Sequence, residues 1–329
     1  MLMSYVLVLG GLTLLAVGGE ALIRGAVALA ERLSISPVFV GLTVVALGTS
    51  APELTVAINA SLAGTPDIAV GSVIGSNISN IFLVLAVTAL IQPIVCEPRM
   101  VFRDGMFLLA VSFGIAMVAL TGVITAGQGG AMLVLLVLYL AYSYWSEVVR
   151  KAPSAERRQA EVQEYDGIPP KFIFAIPAIL AGLVGVIFGA DFLVEGASDI
   201  ARAAGVSEAV IGLSLVAVGT SLPELAVSAL AAFRGHAGVA VGNVIGSNIS
   251  NLLLILGTTA VLGGAPVAEQ IGRYDVWIMV AATAIMVPVM VSGMRISRGE
   301  GVAFLGAYVL YIVSLFTGVP AMIMGVLYG

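Results

Sequence analysis

Apolar stretches long enough to cross a bilayer recur from one end of this chain to the other, and the short polar pieces between them hold most of the charges. A transmembrane helix needs roughly 20 predominantly apolar residues, so the recurrence alone restricts the chain to a membrane architecture. Composition agrees. Hydrophobic residues make up 60% and charged residues 10%, and mean hydropathy is +1.12. A soluble core cannot absorb that much apolar surface, so nearly all of the chain reads as membrane domain.

The apolar stretches predict spans at roughly 4–29, 37–62, 68–91, 105–123, 131–148, 172–199, 208–232, 239–261, 275–293 and 302–326. The expected fold class is an all-α polytopic membrane protein with ten transmembrane helices. Five lie on each side of the polar stretch Arg150 to Lys171, which holds Pro169-Pro170 and reads as a cytoplasmic linker between residues 1–149 and 172–329. No basic segment precedes the first stretch and Glu20 interrupts its far end, so it reads as a retained span and not a cleaved signal. With the linker cytoplasmic, 12 of the 14 Lys and Arg lie at or near that side, and only Arg202 and Arg273 lie opposite. The positive-inside rule then puts both termini outside.

The chain also repeats itself. Gly41 to Asn80 aligns without a gap on Gly212 to Asn251, with 24 of 40 positions identical. The same offset pairs Glu20 with Asp191 and Asp104 with Asp275, so the register is expected to hold across the whole five-helix unit. Five is odd, so the second copy enters the membrane inverted. Inverted repeats are typical of secondary transporters, whose substrate sites lie near the midplane where the repeats meet.

Each copy carries GTS-x-PEL: Gly48, Thr49, Ser50, Pro52 and Glu53, then Gly219, Thr220, Ser221, Pro223 and Glu224. A carboxylate in the middle of an apolar span costs several kcal/mol on insertion scales and is by default a functional residue. On a continuous helix Thr49 and Ser50 would share a face with Glu53, bringing three oxygens to one turn. The proline has no N–H and its ring clashes with the carbonyl four residues back, here Gly48 and Gly219. Such broken backbone is tolerated at membrane depth only in protein or along a cavity.

The following helix of each copy carries G-x-x-x-GSN-x-x-N: Gly71, Gly75, Ser76, Asn77 and Asn80, matched by Gly242, Gly246, Ser247, Asn248 and Asn251. Glycines four apart let helices approach closely, and polar side chains can bond across helices. Packing is the reading for the glycines. For Asn77 and Asn248 interhelical bonding stands beside ligation. Ser76, Asn80, Ser247 and Asn251, expected to pack against the Glu helices, are read as ligands.

Two carboxylates, hydroxyls, amide oxygens and carbonyls make an all-oxygen site that suits a hard cation, above all Ca²⁺. With one His and one Cys in the chain, a histidine- or thiolate-built transition-metal site and an intramolecular disulfide framework are both disfavoured. Two glutamates balance one Ca²⁺, two Na⁺ or two protons, and protons compete for carboxylates removed from water. The residues leave Na⁺ and H⁺ both open as the exchanged ion.

At these motifs the chain closely resembles the calcium/cation antiporter superfamily, the sodium/calcium exchanger-like proteins, and in particular its compact prokaryotic members. The likeness covers both signature repeats, 41–87 and 212–260, and the ten-helix plan accounts for the rest. The resemblance implies that Glu53 and Glu224 hold Ca²⁺, with Thr49, Ser50, Thr220, Ser221, Ser76, Ser247 and the carbonyls near Ala46 and Ala217 completing the cation sites. It also implies that the first and sixth helices slide as a pair to alternate access. Asn80 and Asn251 are neutral amides where certain members carry an aspartate in one repeat, which leans against K⁺ dependence.

The expected activity is therefore Ca²⁺/Na⁺ antiport in the plasma (inner) membrane, by a monomer that needs no cofactor, with Ca²⁺/H⁺ antiport as the alternative. A passive channel is disfavoured because channels usually arrange repeats around an axis along the membrane normal. An intramembrane hydrolase would need a His or Lys beside its serine, and neither accompanies the motifs. Glu20 and Asp191 occupy equivalent places, with Arg24 matched by Glu195; gating or guiding ions is one reading of them, and snorkelling to the interface, usual for long side chains near helix ends, is the other. The linker acids Glu156, Glu161, Glu164 and Asp166 are interleaved with basic residues and lack the EF-hand spacing.

Overall fold

The computed structural model describes residues 2–96, 101–149, 171–205, 219–317, 319–320 and 322. In chain order its helices are α1 (Leu2–Leu33), α2 (Pro37–Thr49), α3 (Ala51–Leu62), α4 (Ile68–Ile91), α5 (Phe102–Ala119), α6 (Ala126–Val149), α7 (Phe172–Ala203), α8 (Leu222–Phe233), α9 (Ala237–Gly263), α10 (Ile271–Val291) and α11 (Arg298–Phe316). Among the described residues eight helices are long and apolar enough to cross a membrane, and α2 with α3 forms a ninth, broken span bent by 42°. Of the span expected at 208–232, residues 208–218 lie outside the described residues, as does the linker from 150 to 170.

The sequence repeat is also a repeat of elements. Ala51–Leu62 recurs as Leu222–Phe233, and the π-helical turn Asn80–Val84 recurs as Asn251–Ile255, both in the register of the aligned motifs. Beyond the strand Ile94–Val95 that register loosens. The π turn Val101–Gly105 recurs as Ile271–Asp275, one position short of it. The strand Val123–Ile124 recurs as Arg295–Ile296, one position past it, and the left-handed residue ahead of each strand, Gly122 (φ 79°) and Met294 (φ 54°), moves by the same step. The constant register expected across the whole unit is thus corrected: it holds through the motif helices and the strand Ile94–Val95, which recurs as Ala265–Pro266, and the difference enters with the next helix, 14 residues in Met106–Ala119 and 16 in Val276–Val291.

Contacts divide the chain into two compact units, each drawing on both sequence copies: Met1–Thr49 with Tyr139–Asn243, and Ser50–Leu138 with Val244–Gly329. In the first, α1 and α7 run antiparallel along a seam of glycines spaced by seven, close to two helical turns. A Cβ added at Gly11 would lie 2.7 Å from the Gly189 carbonyl, one at Gly18 2.9 Å from that of Gly182, and one at Gly25 2.9 Å from that of Ala175. The repeat exchanges the two helices of this seam, since it turns Gly11 and Gly18 into Gly182 and Gly189. Leu22, Ile23, Val27, Val186, Val227 and Val239 form the buried apolar centre of this unit.

In the second unit four two-residue strands make two ribbons. β1 (Ile94–Val95) pairs antiparallel with β4 (Arg295–Ile296), and β2 (Val123–Ile124) with β3 (Ala265–Pro266). The repeat turns β1 into β3 and β2 into β4, so each ribbon is the image of the other. Helix packing follows the same exchange. A Cβ at Gly129 would lie 2.6 Å from the Gly257 carbonyl, and one at Gly301 3.0 Å from that of Ala86.

Candidate cation-binding site

The two GTS-x-PEL motifs start a new helix in the same way. Ser50 (φ −82°, ψ 4°) separates α2 from α3, and Ser221 (φ −93°, ψ 3°) precedes α8. Pro52 and Pro223 fall in the first turn of the new helix, where the missing N–H has no helical partner to lose. The new helices close their first turns by hydrogen bonds from Leu54 N to Ser50 O and from Leu225 N to Ser221 O. Glu53 and Glu224 sit in these first turns, where the positive end of the helix dipole favours a carboxylate. Both are buried, 5% and 1% exposed.

The break corrects one expectation. Thr49 ends α2 and Glu53 lies in the first turn of α3, so Thr49, Ser50 and Glu53 do not share the face of one continuous helix. Thr49, Ala46, Thr220, Ser221 and Glu224 belong to the first compact unit; Ser50, Glu53, Ser76, Asn80, Ser247 and Asn251 belong to the second. Ala217 lies outside the described residues.

In the first unit the polar groups are joined by Asn243, a fully buried residue of α9 that the motif reading passed over. Its Oδ1 accepts from the Thr49 hydroxyl at 3.3 Å, and its Nδ2 donates to Ser228 Oγ at 3.0 Å and to the Glu224 carbonyl at 3.4 Å. Thr49 Oγ1 also lies 3.3 Å from the Ala46 carbonyl, which it can donate to. Gly48 and Gly219 both press on α7: a Cβ at either would come within 2.5 Å of Leu183 or Val194 respectively. Gly242 likewise meets the backbone of Val38 and Leu42, the close approach expected of it; the segment that the repeat would set against Gly71 lies outside the described residues.

In the second unit Asn80 and Asn251 each open a π-helical turn, a local widening common at functional sites. Asn80 Nδ2 donates to Asn248 Oδ1 at 3.2 Å, so Asn248 does bond between helices. Asn77 instead donates to its own helix at the Val73 carbonyl, 2.7 Å away. Among the described residues the buried oxygens Asn80 Oδ1, Asn251 Oδ1, Ser221 Oγ and Ser247 Oγ meet no hydrogen-bond partner. Ser76 is also buried. Among the described residues no three His, Cys, Asp or Glu side chains come together.

Glu20 is paired at both carboxylate oxygens. Its Oε1 is 2.7 Å from Arg24 and its Oε2 2.9 Å from Arg234.

The sodium/calcium exchanger protein family matches residues 3–145 and 174–317. CaxA of Alkalimonas amylolytica, a putative antiporter by name, is 36% identical over 321 residues, covering 96% of this chain and 100% of its own. The sodium/calcium exchanger MaX1 of Methanosarcina acetivorans is 31% identical, covering 95% of this chain and 98% of its own. The solved structure of the sodium-calcium exchanger NCX_Mj soaked with zero Na⁺ and Ca²⁺ superposes with a TM-score of 0.83 at 31% identity, over 96% of this chain and 100% of that one. The chain is an integral membrane protein of the sodium/calcium exchanger protein family.

Proposed function

We propose that this protein exchanges Ca²⁺ for Na⁺ across the plasma (inner) membrane by alternating access, with Glu53 and Glu224 supplying the charge that the ions compete for. The observation that carries this is that Ser221 Oγ, Ser247 Oγ, Asn80 Oδ1 and Asn251 Oδ1 are among the buried oxygens without hydrogen-bond partners in the described residues. Four of the residues expected to ligate a cation present them. A buried polar atom left unsatisfied costs about 1–3 kcal/mol, and a hard cation is a partner for which oxygen is the right ligand. Thr49, Ser50, Thr220, Ser76 and the carbonyls near Ala46 and Ala217 complete the proposed cage.

The proposed architecture is ten helices in two inverted five-helix repeats, 1–149 and 172–329, joined by a cytoplasmic linker over 150–171, with both termini outside. The antiparallel packing of the equivalent helices α1 and α7 and the exchange of the two strand ribbons support it. The name of a relative of 31% identity, inner membrane protein YrbG of Escherichia coli, supports the location. The exchanger is proposed to act as a monomer. Two carboxylates neutralise one Ca²⁺ or two Na⁺, so occupancy by one ion excludes the other, and a carrier that reorients only when neutralised couples their fluxes.

The test is Ca²⁺ flux in proteoliposomes, with an imposed Na⁺ gradient in one arm and a pH gradient in the other. Flux driven in the Na⁺ arm alone supports the proposal. Flux in the pH arm alone assigns the counter-ion to protons, and flux indifferent to both overturns antiport.

A further inference from the structure

We propose that Asn243 is a positioning residue of the cation site, fixing the Thr49 hydroxyl so that its oxygen can only accept from the site and pinning the turn that carries Glu224. The inference rests on the reading of Thr49 and Glu224 as cation-site residues. The amide's orientation follows from its neighbours. A backbone carbonyl only accepts, so the atom facing Glu224 O at 3.4 Å must be Nδ2. Nδ2 has two protons, and the second goes to Ser228 Oγ at 3.0 Å. The remaining atom is then Oδ1, an acceptor, and the Thr49 hydroxyl 3.3 Å away must be the donor. The other group within reach of that hydroxyl, the Ala46 carbonyl at 3.3 Å, also only accepts. Whichever of the two takes the single proton, it is committed to the protein, and the Thr49 oxygen offers only lone pairs in any other direction. That is the state a cation ligand needs, set in advance and buried where reorientation is costly.

This device belongs to one copy of the repeat. At the equivalent positions of the first copy, Ser72 stands for Asn243 and Ala57 for Ser228. Neither residue carries an amide, so the three-way grip on a hydroxyl, a carbonyl and a second hydroxyl cannot be built from them. The two copies, nearly identical in their ligand motifs, are thereby made unequal in how firmly one threonine is oriented. Inequality of this kind lets two ligand sets of like composition hold ions with unlike strength.

The test uses the full-length protein in detergent and in proteoliposomes, with Asn243→Ser, Asn243→Asp, Thr49→Val and the double variant Asn243→Ser/Thr49→Val. Binding is read as the Ca²⁺ and Na⁺ concentrations that half-maximally raise the thermal unfolding temperature, and transport as KM and kcat. Asn243→Ser is expected to weaken the binding of at least one of the two ions and raise its KM about three- to ten-fold, with a smaller effect on kcat. If Asn243 acts through Thr49, the double variant falls within about two-fold of Thr49→Val alone, since residues acting through one contact are not additive. Asn243→Asp keeps an acceptor for Thr49 while losing the Nδ2 donor, and is expected to lose the grip on the Glu224 turn. Multiplicative losses in the double variant, or unchanged ion binding in Asn243→Ser, overturn the proposal while the antiport reading stands. A wild-type protein whose stability responds to neither ion overturns both. Flux without counter-ion dependence, combined with non-additive binding losses, overturns antiport and leaves the role of Asn243 supported.

Discussion

Glu20 Oε2 accepts from Arg234 Nε at 2.9 Å, an ion pair between residues 214 positions apart, while Glu20 Oε1 is held by Arg24 from the next turn of α1. At the equivalent places of the other copy stand Asp191, Glu195 and Ala63, so the repeat puts a second acid where Arg24 stands and no cation where Arg234 stands. Arg234 is 43% exposed and Glu20 19%, which places the pair in the screened regime of weak ion pairs. Arg234→Ala is expected to lower stability by about 0.5–1 kcal/mol at low salt, and by less at high salt as screening strengthens. Thermal unfolding at two ionic strengths checks this; a loss of several kcal/mol that ignores salt would contradict it.

The α1–α7 seam predicts a larger effect at a smaller residue. A Cβ at Gly18 would lie 2.8 Å from Val186 N and 2.9 Å from the Gly182 carbonyl, and backbone cannot swing aside as a side chain does. Gly18→Ala should cost about 1–3 kcal/mol through overpacking. Gly10, on the same helix with nothing within 4 Å of an added Cβ, is the control, and Gly10→Ala should cost nothing. Equal unfolding temperatures for the two variants would mean that the seam is not close-packed.

The described spans and the repeated motifs were legible because they are properties of short windows: an apolar run announces itself, and 24 identities in 40 gapless positions announce the copy. The break at Ser50 was half legible. Pro52 signals a disturbed helix, but whether the helix kinks or ends and restarts depends on the packing of Gly48 against Leu183, which no local pattern encodes. Asn243 escaped for a different reason. Alignment of the copies rewards identity, and Asn243 matters where it differs from Ser72. The Glu20–Arg234 pair joins residues too far apart in sequence for spacing to suggest it.

Cys96 gives a chemical test of the region between α4 and α5. Its thiol is 3% exposed and is pushed up to about 12, first by burial and further by the charge of Glu300, with a backbone hydrogen bond from Ile296 acting in the opposite direction. Only the thiolate reacts. Maleimide labelling of the native protein at pH 8 should therefore be slow and become fast on denaturation. Rapid native labelling would show that the thiol is accessible and that the β1–β4 region beside it opens in solution.

His236, in the turn between α8 and α9, is held below its ordinary 6.5 by burial, with Glu20 opposing the shift. The folded protein thus prefers the neutral ring, and the unfolded chain binds the proton more readily. Stability from this residue is fully present above about 6.5, and is lost as pH falls from there toward the lowered folded value. His236→Gln should flatten the stability profile across that window. An unchanged acid limb in the variant would assign the pH dependence to other groups.

The proposed cation site itself makes the strongest prediction. Glu53→Gln and Glu224→Gln each keep the shape of the side chain and one acceptor oxygen, and each removes one of the two negative charges. A divalent ion then faces a single carboxylate in a buried site, and an uncompensated buried charge costs several kcal/mol. Either substitution should abolish Ca²⁺ flux and the Ca²⁺-dependent rise in unfolding temperature. Stability without ions should be kept or raised, because a neutral amide in the first turn of α3 or α8 is cheaper to bury than a carboxylate. The separation of these two readouts is what distinguishes a ligand from a structural residue: a structural carboxylate would lower ion-free stability when neutralised. Wild-type flux in both variants would place the ion elsewhere, and loss in one variant alone would mean that a single copy of the repeat carries the ion's charge.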